Sequence, residues 1–315
     1  MNRKKWVIGL FVAIVLVVGV ACGHKPVQTQ SRELKAATFE IIEGNRWYMK
    51  GCYEKAFGHF ANAYERYSIS DNEDGVARSL NNLGSLYRAK KDWDSALLFF
   101  DEAARIYSRM GNYTDLTQTL SNKASVYIDR DMPAKAESAL NDADKTARDH
   151  GVIYPPLLSN RAMLCITQKK MGDAKKLLAT ALMQTSSAKP FEYATILHAM
   201  GLCMEKDGDH AQALSYYTKA LEIDRNEQFV RSIAMDLDAI GSVYLTMGDH
   251  ENAADYLYRS LKIHTLLADS NGAEQTSKKL KICIEAMGDK KPITRITDYF
   301  LKRWAADEKT IGACE

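Results

Sequence analysis

SLNNLGSLYRAKKDWDSALLFF, residues 79–100, sets Gly84 among large apolar residues and then, twelve positions on, places Ala96 four residues before Phe100. Small and large side chains at helical spacing suit two closely packed helices, because the small residue admits the neighbouring backbone and the large one fills the next gap. Sliding the stretch along the chain decides whether it is one hairpin or one copy of several. The small residue of the first half returns as Gly44, Gly84, Ala124, Ala162, Gly201 and Gly241, at intervals of 40, 40, 38, 39 and 40. Twelve residues after each stands an alanine: Ala56, Ala96, Ala136, Ala174, Ala213 and Ala253. Four further on come Phe60, Phe100, Leu140, Leu178, Tyr217 and Leu257, and a third small set closes the unit, Ala63, Ala103, Ala143, Ala181, Ala220 and Ser260.

Punctuation agrees with the period. Gly208-Asp209 and Gly248-Asp249 fit a turn in which glycine ends one helix and aspartate caps the next. Pro133, Pro155, Pro156, Pro190 and Pro292 fall where helices are expected to begin. In the fourth unit the Gly172-Asp173 pair is displaced, which predicts an irregular hairpin. A length of 315 residues exceeds what one hydrophobic core usually serves, and 46% hydrophobic with 26% charged residues suits a folded, helix-rich chain.

The pattern Leu80, Leu83-Gly84, Tyr87, Ala96, Phe100, Ala103 resembles the tetratricopeptide repeat, and it does so in six copies over residues 35–268. The resemblance implies an all-α, right-handed superhelical solenoid of about six helix hairpins. Ser108 stands in place of the family's usual closing proline, and the period is near 40 rather than about 34. Longer repeats of this kind resemble those of kinesin light chains and of bacterial peptide-sensing regulators. Residues 273–289 look like another first helix with no second to follow. Residues 269–308 are therefore expected to cap the stack, with Ile293, Ile296, Phe300, Leu301 and Trp304 covering its last face and residues 309–315 forming a tail.

The start of the chain follows different rules. Arg3, Lys4 and Lys5 precede an uncharged apolar run from Trp6 to Ala21, and the run ends Gly19-Val20-Ala21-Cys22. Sixteen residues fall short of the span of a bilayer. The run resembles a bacterial lipoprotein signal, which implies cleavage after residue 21 and a diacylglycerol on Cys22. Residues 22–34 would then be the lipidated N-terminus and tether, and the repeats would lie outside the cytoplasm, lipid-anchored in the cell envelope and expected to be periplasmic. Loss of the three basic residues takes the Lys and Arg count from 42 to 39, against 40 acidic residues. The mature chain is near neutral, and no electrostatic case for a nucleic-acid partner survives.

With Cys22 carrying lipid, Cys52, Cys165, Cys203, Cys283 and Cys314 remain, and five cannot all pair. Four fall inside predicted helices without CxxC spacing and are expected to act as small buried hydrophobes; Cys314, near the tail, is the one placed to link chains. His210 and His250 occupy equivalent places one repeat apart, too far for shared metal ligation. No HExxH, GxSxG or phosphate loop is present, so the sequence predicts no catalytic residue, no metal and no cofactor.

Binding is the better supported role. In the resembling folds the first helix of each pair lines the concave face, which here would carry Arg78, Asn81, Ser85 and Arg88. Two residues before the recurring small residue stand Asn82, Asn122 and Asn160, a ladder of carboxamides that can donate to and accept from a peptide backbone. The competing reading makes each asparagine a tie between adjacent helices. The family's two-carboxylate clamp is matched by Asn45 and Asn82 but not by Ile41, Gln118 and Asn122, where it uses cations. The sequence therefore leads to a lipid-tethered, non-catalytic scaffold or adaptor that grips an extended polypeptide. The alternative is a receptor for secreted peptides.

Overall fold

The computed structural model describes residues 32–288 and Cys314. Among them are thirteen helices and no strand: α1 (Arg32–Lys50), α2 (Tyr53–Ile69), α3 (Glu73–Ala89), α4 (Trp93–Met110), α5 (Tyr113–Asp129), α6 (Pro133–His150), α7 (Pro155–Thr167), α8 (Met171–Gln184), α9 (Pro190–Lys206), α10 (His210–Glu227), α11 (Val230–Thr246), α12 (His250–Leu266) and α13 (Ser270–Met287). Consecutive helices pair as six hairpins, each packing on the next, and α13 lies against α12 and α11. The architecture is an all-helical solenoid. Residues 292–308, expected as part of the cap, lie outside the described residues, as do Cys22 and the apolar run before it.

The repeated small residues mark the closest approaches. A Cβ built on Gly44 would stand 2.5 Å from the Phe60 ring, on Gly84 2.7 Å from Phe100, and on Gly201 2.6 Å from Tyr217. Each large residue of the pattern thus sits on the small residue sixteen positions earlier. In the third and fourth hairpins that small residue is Ala124 or Ala162, fully buried, and its partner is a leucine, Leu140 or Leu178. All of Ala56, Ala96, Ala136, Ala174, Ala213 and Ala253 are fully buried.

Caps and turns follow their residues. Gly208 and Gly248 take positive φ, +83° and +78°, and the carboxylates of Asp209 and Asp249 accept from the backbone N–H of Gln212 and Asn252. Pro133, Pro155 and Pro190 each open a helix. The fourth hairpin is irregular as expected, with helices of only 13 and 14 residues, and its turn is not at Gly172-Asp173: Lys169 takes the left-handed conformation at φ 62°, and Gly172 and Asp173 fall within the first turn of α8.

One expectation about cysteine is overturned. Cys52 is not a helix-interior hydrophobe but the residue before α2, and it forms a disulfide with Cys314, 262 residues away. Cys314 therefore closes this chain rather than linking two. The pairing is possible because the solenoid curls back on itself and α1 packs against α11. A Cβ on Gly51 would stand 3.1 Å from Cβ of Arg231, and the Arg231 guanidinium lies 5.2 Å from the Tyr53 ring centre. Cys203 and Cys283 are buried thiols, and Cys165 is half-buried. Burial pushes the pKa of all three up.

Candidate functional site

The odd-numbered helices line the inside of the curl. Between them lies a cavity of about 340 Å³ whose wall is built from Asn45 and Tyr48 of α1, Asn82, Ser85 and Arg88 of α3, and Gln118 and Asn122 of α5, continuing with Ser159 and Asn160 of α7 and Glu192 and Thr195 of α9. Phe60 and Phe100 form its floor. Two further hollows extend it. One, toward Arg78, Tyr107 and Asp115, shares Asn45, Asn82 and Gln118 with it; the other, toward Trp93, Arg231 and Met235, shares Tyr48, Arg88 and Phe191. The result is a continuous trough, lined by many polar side chains, across all six hairpins.

The asparagine ladder divides by atom. Asn82 makes no side-chain hydrogen bond among the described residues, so both ends of its carboxamide face the trough. Asn122 donates through Nδ2 to Oδ1 of Asn81 at 3.2 Å. Asn160 donates through Nδ2 to the Ser121 carbonyl at 3.1 Å and to its hydroxyl at 2.8 Å. The last two are ties between successive first helices: Asn122 keeps its carbonyl oxygen and its second N–H for a ligand, and Asn160 keeps its carbonyl oxygen. The two readings of the ladder thus apply to different ends of the same side chains.

The neighbouring residues are similarly sorted. Asn81 is buried and takes up the Thr119 hydroxyl at 3.2 Å as well as Asn122, so it positions the ladder from beneath. Ser85 donates to the Asn81 carbonyl at 3.1 Å, and Arg88 bridges to Asp129 of α5 at 2.7 Å. Arg78 is exposed and paired with Asp74 at 2.6 Å, reaching the trough from its rim. Ile41, at a clamp position, is buried in the first hairpin. His210 and His250 open α10 and α12, and among the described residues no group of three or more His, Cys, Asp or Glu could hold a metal ion.

Where the curl closes, charge fixes the geometry. Arg231 pairs with Asp269 at 2.8 Å, and His264 holds the same carboxylate at 2.9 Å. Burial alone would raise the pKa of Asp269, but these two partners and the backbone N–H of Gly272 hold it well below the usual carboxylate range. Tyr48, beside Arg88 and Arg231, is driven upward by burial.

Sequence reasoning missed one cluster altogether. Asp224 of α10 and Asp236 of α11 are both buried, and His198 of α9 meets Asp236 at 2.6 Å. Burial, and then the charge and hydrogen bond of Asp236, push Asp224 up to about 8. The signal was available, since Asp224 follows Ala220 by four residues along the buried stripe of α10.

Comparisons with known proteins agree with this geometry. Family models described as tetratricopeptide repeat match residues 48–109, 155–226 and 237–263. Tetratricopeptide repeat protein 29 of Trypanosoma brucei brucei is 26% identical over 118 residues, 37% of this chain and 24% of that protein. Photosystem I assembly protein Ycf3 of Acaryochloris marina is 34% identical over 70 residues, 22% of this chain and 40% of its own length. The chain thus spans less than half of each of these relatives. Among solved structures, a Rap protein complexed with competence and sporulation factor superposes with a TM-score of 0.59 at 12% identity, covering 87% of this chain and 92% of that one. The Rap conjugation gene regulator of plasmid pLS20, in complex with the Phr* peptide, gives 0.57 at 17%, covering 83% and 75%. Cut9 with Hcn1 from the APC/C gives 0.55 at 17%, covering 80% and 43%. At these identities the superpositions speak for the fold. With six hairpins carrying the repeat's small and large positions, and the matched segments together making up half of its length, the chain belongs to the tetratricopeptide repeat family.

Proposed function

We propose that the protein is a membrane-anchored, non-catalytic scaffold of the bacterial cell envelope that holds an extended polypeptide in its inner trough. The observation that carries this reading is the row of carboxamides Asn45, Asn82, Gln118, Asn122 and Asn160 on one cavity wall, contributed by four successive first helices. Such a row offers donors and acceptors at the spacing of the repeats and suits backbone recognition. A pairing of Cys52 with Cys314 favours an oxidising compartment, in keeping with export. The Rap proteins of similar fold, one complexed with competence and sporulation factor and the other with the Phr* peptide, favour a second reading as a receptor for secreted peptides.

The test is affinity purification of the full chain from solubilised membranes. A stoichiometric protein partner selects the scaffold and a short co-purifying peptide selects the receptor. Calorimetry with the recovered polypeptide should then show Asn82→Ala losing about 1–3 kcal/mol, roughly five- to hundredfold in affinity, with an unchanged melt. Asn122→Ala should lower the melt as well, because its Nδ2 bond to Asn81 is lost. Undiminished affinity in Asn82→Ala refutes the trough as the site.

The anchor has its own check. Metabolic labelling with palmitate should mark the wild-type chain and leave Cys22→Ser unmarked, and equal labelling of the two excludes lipid at that residue.

A further inference from the structure

The first hairpin carries a face that the repeat pattern leaves without a neighbour. In every later repeat, the residue five before the recurring small position packs against the preceding hairpin: Ser79, Thr119, Leu157, Ile196 and Asp236 are all buried. Its counterpart in α1 is Phe39, which is 58% exposed, as is Ile42 one helical turn on. The residue two after the small position is Leu86, Val126, Leu164, Cys203 and Val243 in the later repeats, again buried throughout. In α1 it is Arg46.

An arginine at a position that stacking always buries excludes another hairpin, or a second copy stacked in the same register, from covering this face. A plain polar end cap would not leave Phe39 and Ile42 outward. The remaining residues of the face are Arg32, Lys35 and Lys50, which make no ion pair among the described residues. Its one carboxylate, Glu43, is engaged by Arg46 at 3.3 Å.

We infer that this face of α1 docks on an anionic phospholipid surface, with Phe39 and Ile42 entering the boundary between headgroups and acyl chains and the four cations meeting the phosphates. Amphipathic helices with this division of residues bind in the plane of the interface, and their strength comes jointly from apolar area and from charge. The inference rests on the proposed membrane placement: nine residues lie between Cys22 and Arg32, and the ten Cα steps of an extended tether reach at most about 35 Å. Docking would hold the solenoid at a fixed attitude, with the first hairpin at the bilayer.

The test uses the full chain with vesicles of phosphatidylcholine alone and of equal parts phosphatidylcholine and phosphatidylglycerol, both carrying brominated acyl chains. Trp6 and Trp304 are replaced by phenylalanine, and Phe39→Trp is compared with the same background lacking it. Sedimentation with vesicles reads the N-terminal anchor; bromine quenching of the residue-39 emission reads docking. Expected are sedimentation with both vesicles and quenching only on the anionic ones, reversed by salt at about 0.5 M, where screening shortens to a few ångströms. Each cation contributes roughly fivefold to surface binding, so Lys35→Glu with Lys50→Glu should abolish the quenching while sedimentation persists. Sedimentation without quenching overturns the docking face and spares the anchor, and equal quenching on both vesicles overturns the role of charge. Sedimentation with anionic vesicles alone supports the face and removes the anchor; sedimentation with neither overturns both.

Discussion

Replacing Cys314 with serine will lower the melting temperature of the full chain by roughly 8 °C, and dithiothreitol will lower the wild type by as much while leaving the variant unmoved. The size follows from topology. The bond between Cys52 and Cys314 spans 262 residues. On the chain-entropy account, closing so long a loop in the unfolded state contributes about 5–6 kcal/mol. A solenoid is quasi-one-dimensional, so the loss should be felt first at its ends, and amide exchange in α1 and α2 should rise more than in α5 and α6. Non-reducing electrophoresis should show the wild type as a compact monomer. Identical melts with and without reductant would mean that the two cysteines are not joined in the protein.

The same bond shows where the sequence stopped being informative. The six hairpins were readable because close packing imposes a local rule, a small residue under a large one, and Gly84 beneath Phe100 obeys it at every recurrence. The trough was half readable. The period places Asn82, Asn122 and Asn160 on one face, but the fact that Nδ2 of Asn122 is already donated to Asn81 depends on the separation of two helices, which the period does not contain. Closure was not readable at all. It accumulates from small rotations between repeats, and only their sum brings Gly51 against Arg231 and Cys52 to Cys314. The tetratricopeptide pattern specifies each step of the curl and leaves the meeting of its ends to the whole.

Acidity should stabilise this protein through Asp224, and Asp224→Asn should remove the effect. In the other repeats the position of Asp224 is held by Tyr67, Tyr107, Ala147, Thr185 and His264, where it packs beneath the next first helix. Here it meets Asp236, which occupies the site of Ser79 and Ile196, so the repeat pattern brings two carboxyls together in a buried seam. Asp236 is held by His198 at 2.6 Å, and Asp224 carries the proton, its pKa raised from 3.8 to about 8 by burial and by the neighbouring Asp236. Between those two values the folded chain holds a proton that the unfolded chain has released, so unfolding frees protons and stability falls as pH rises. The slope reaches at most about 1.4 kcal/mol per pH unit, or roughly 2–4 kcal/mol between pH 5 and pH 8 once some relaxation of the seam is allowed. Asparagine keeps the shape, cannot ionise and can donate to Asp236. Urea midpoints measured across that range should therefore fall with pH for the wild type, stay nearly level for Asp224→Asn, and leave the variant the more stable of the two at pH 8. Parallel curves would mean that Asp224 is ionised in the folded protein.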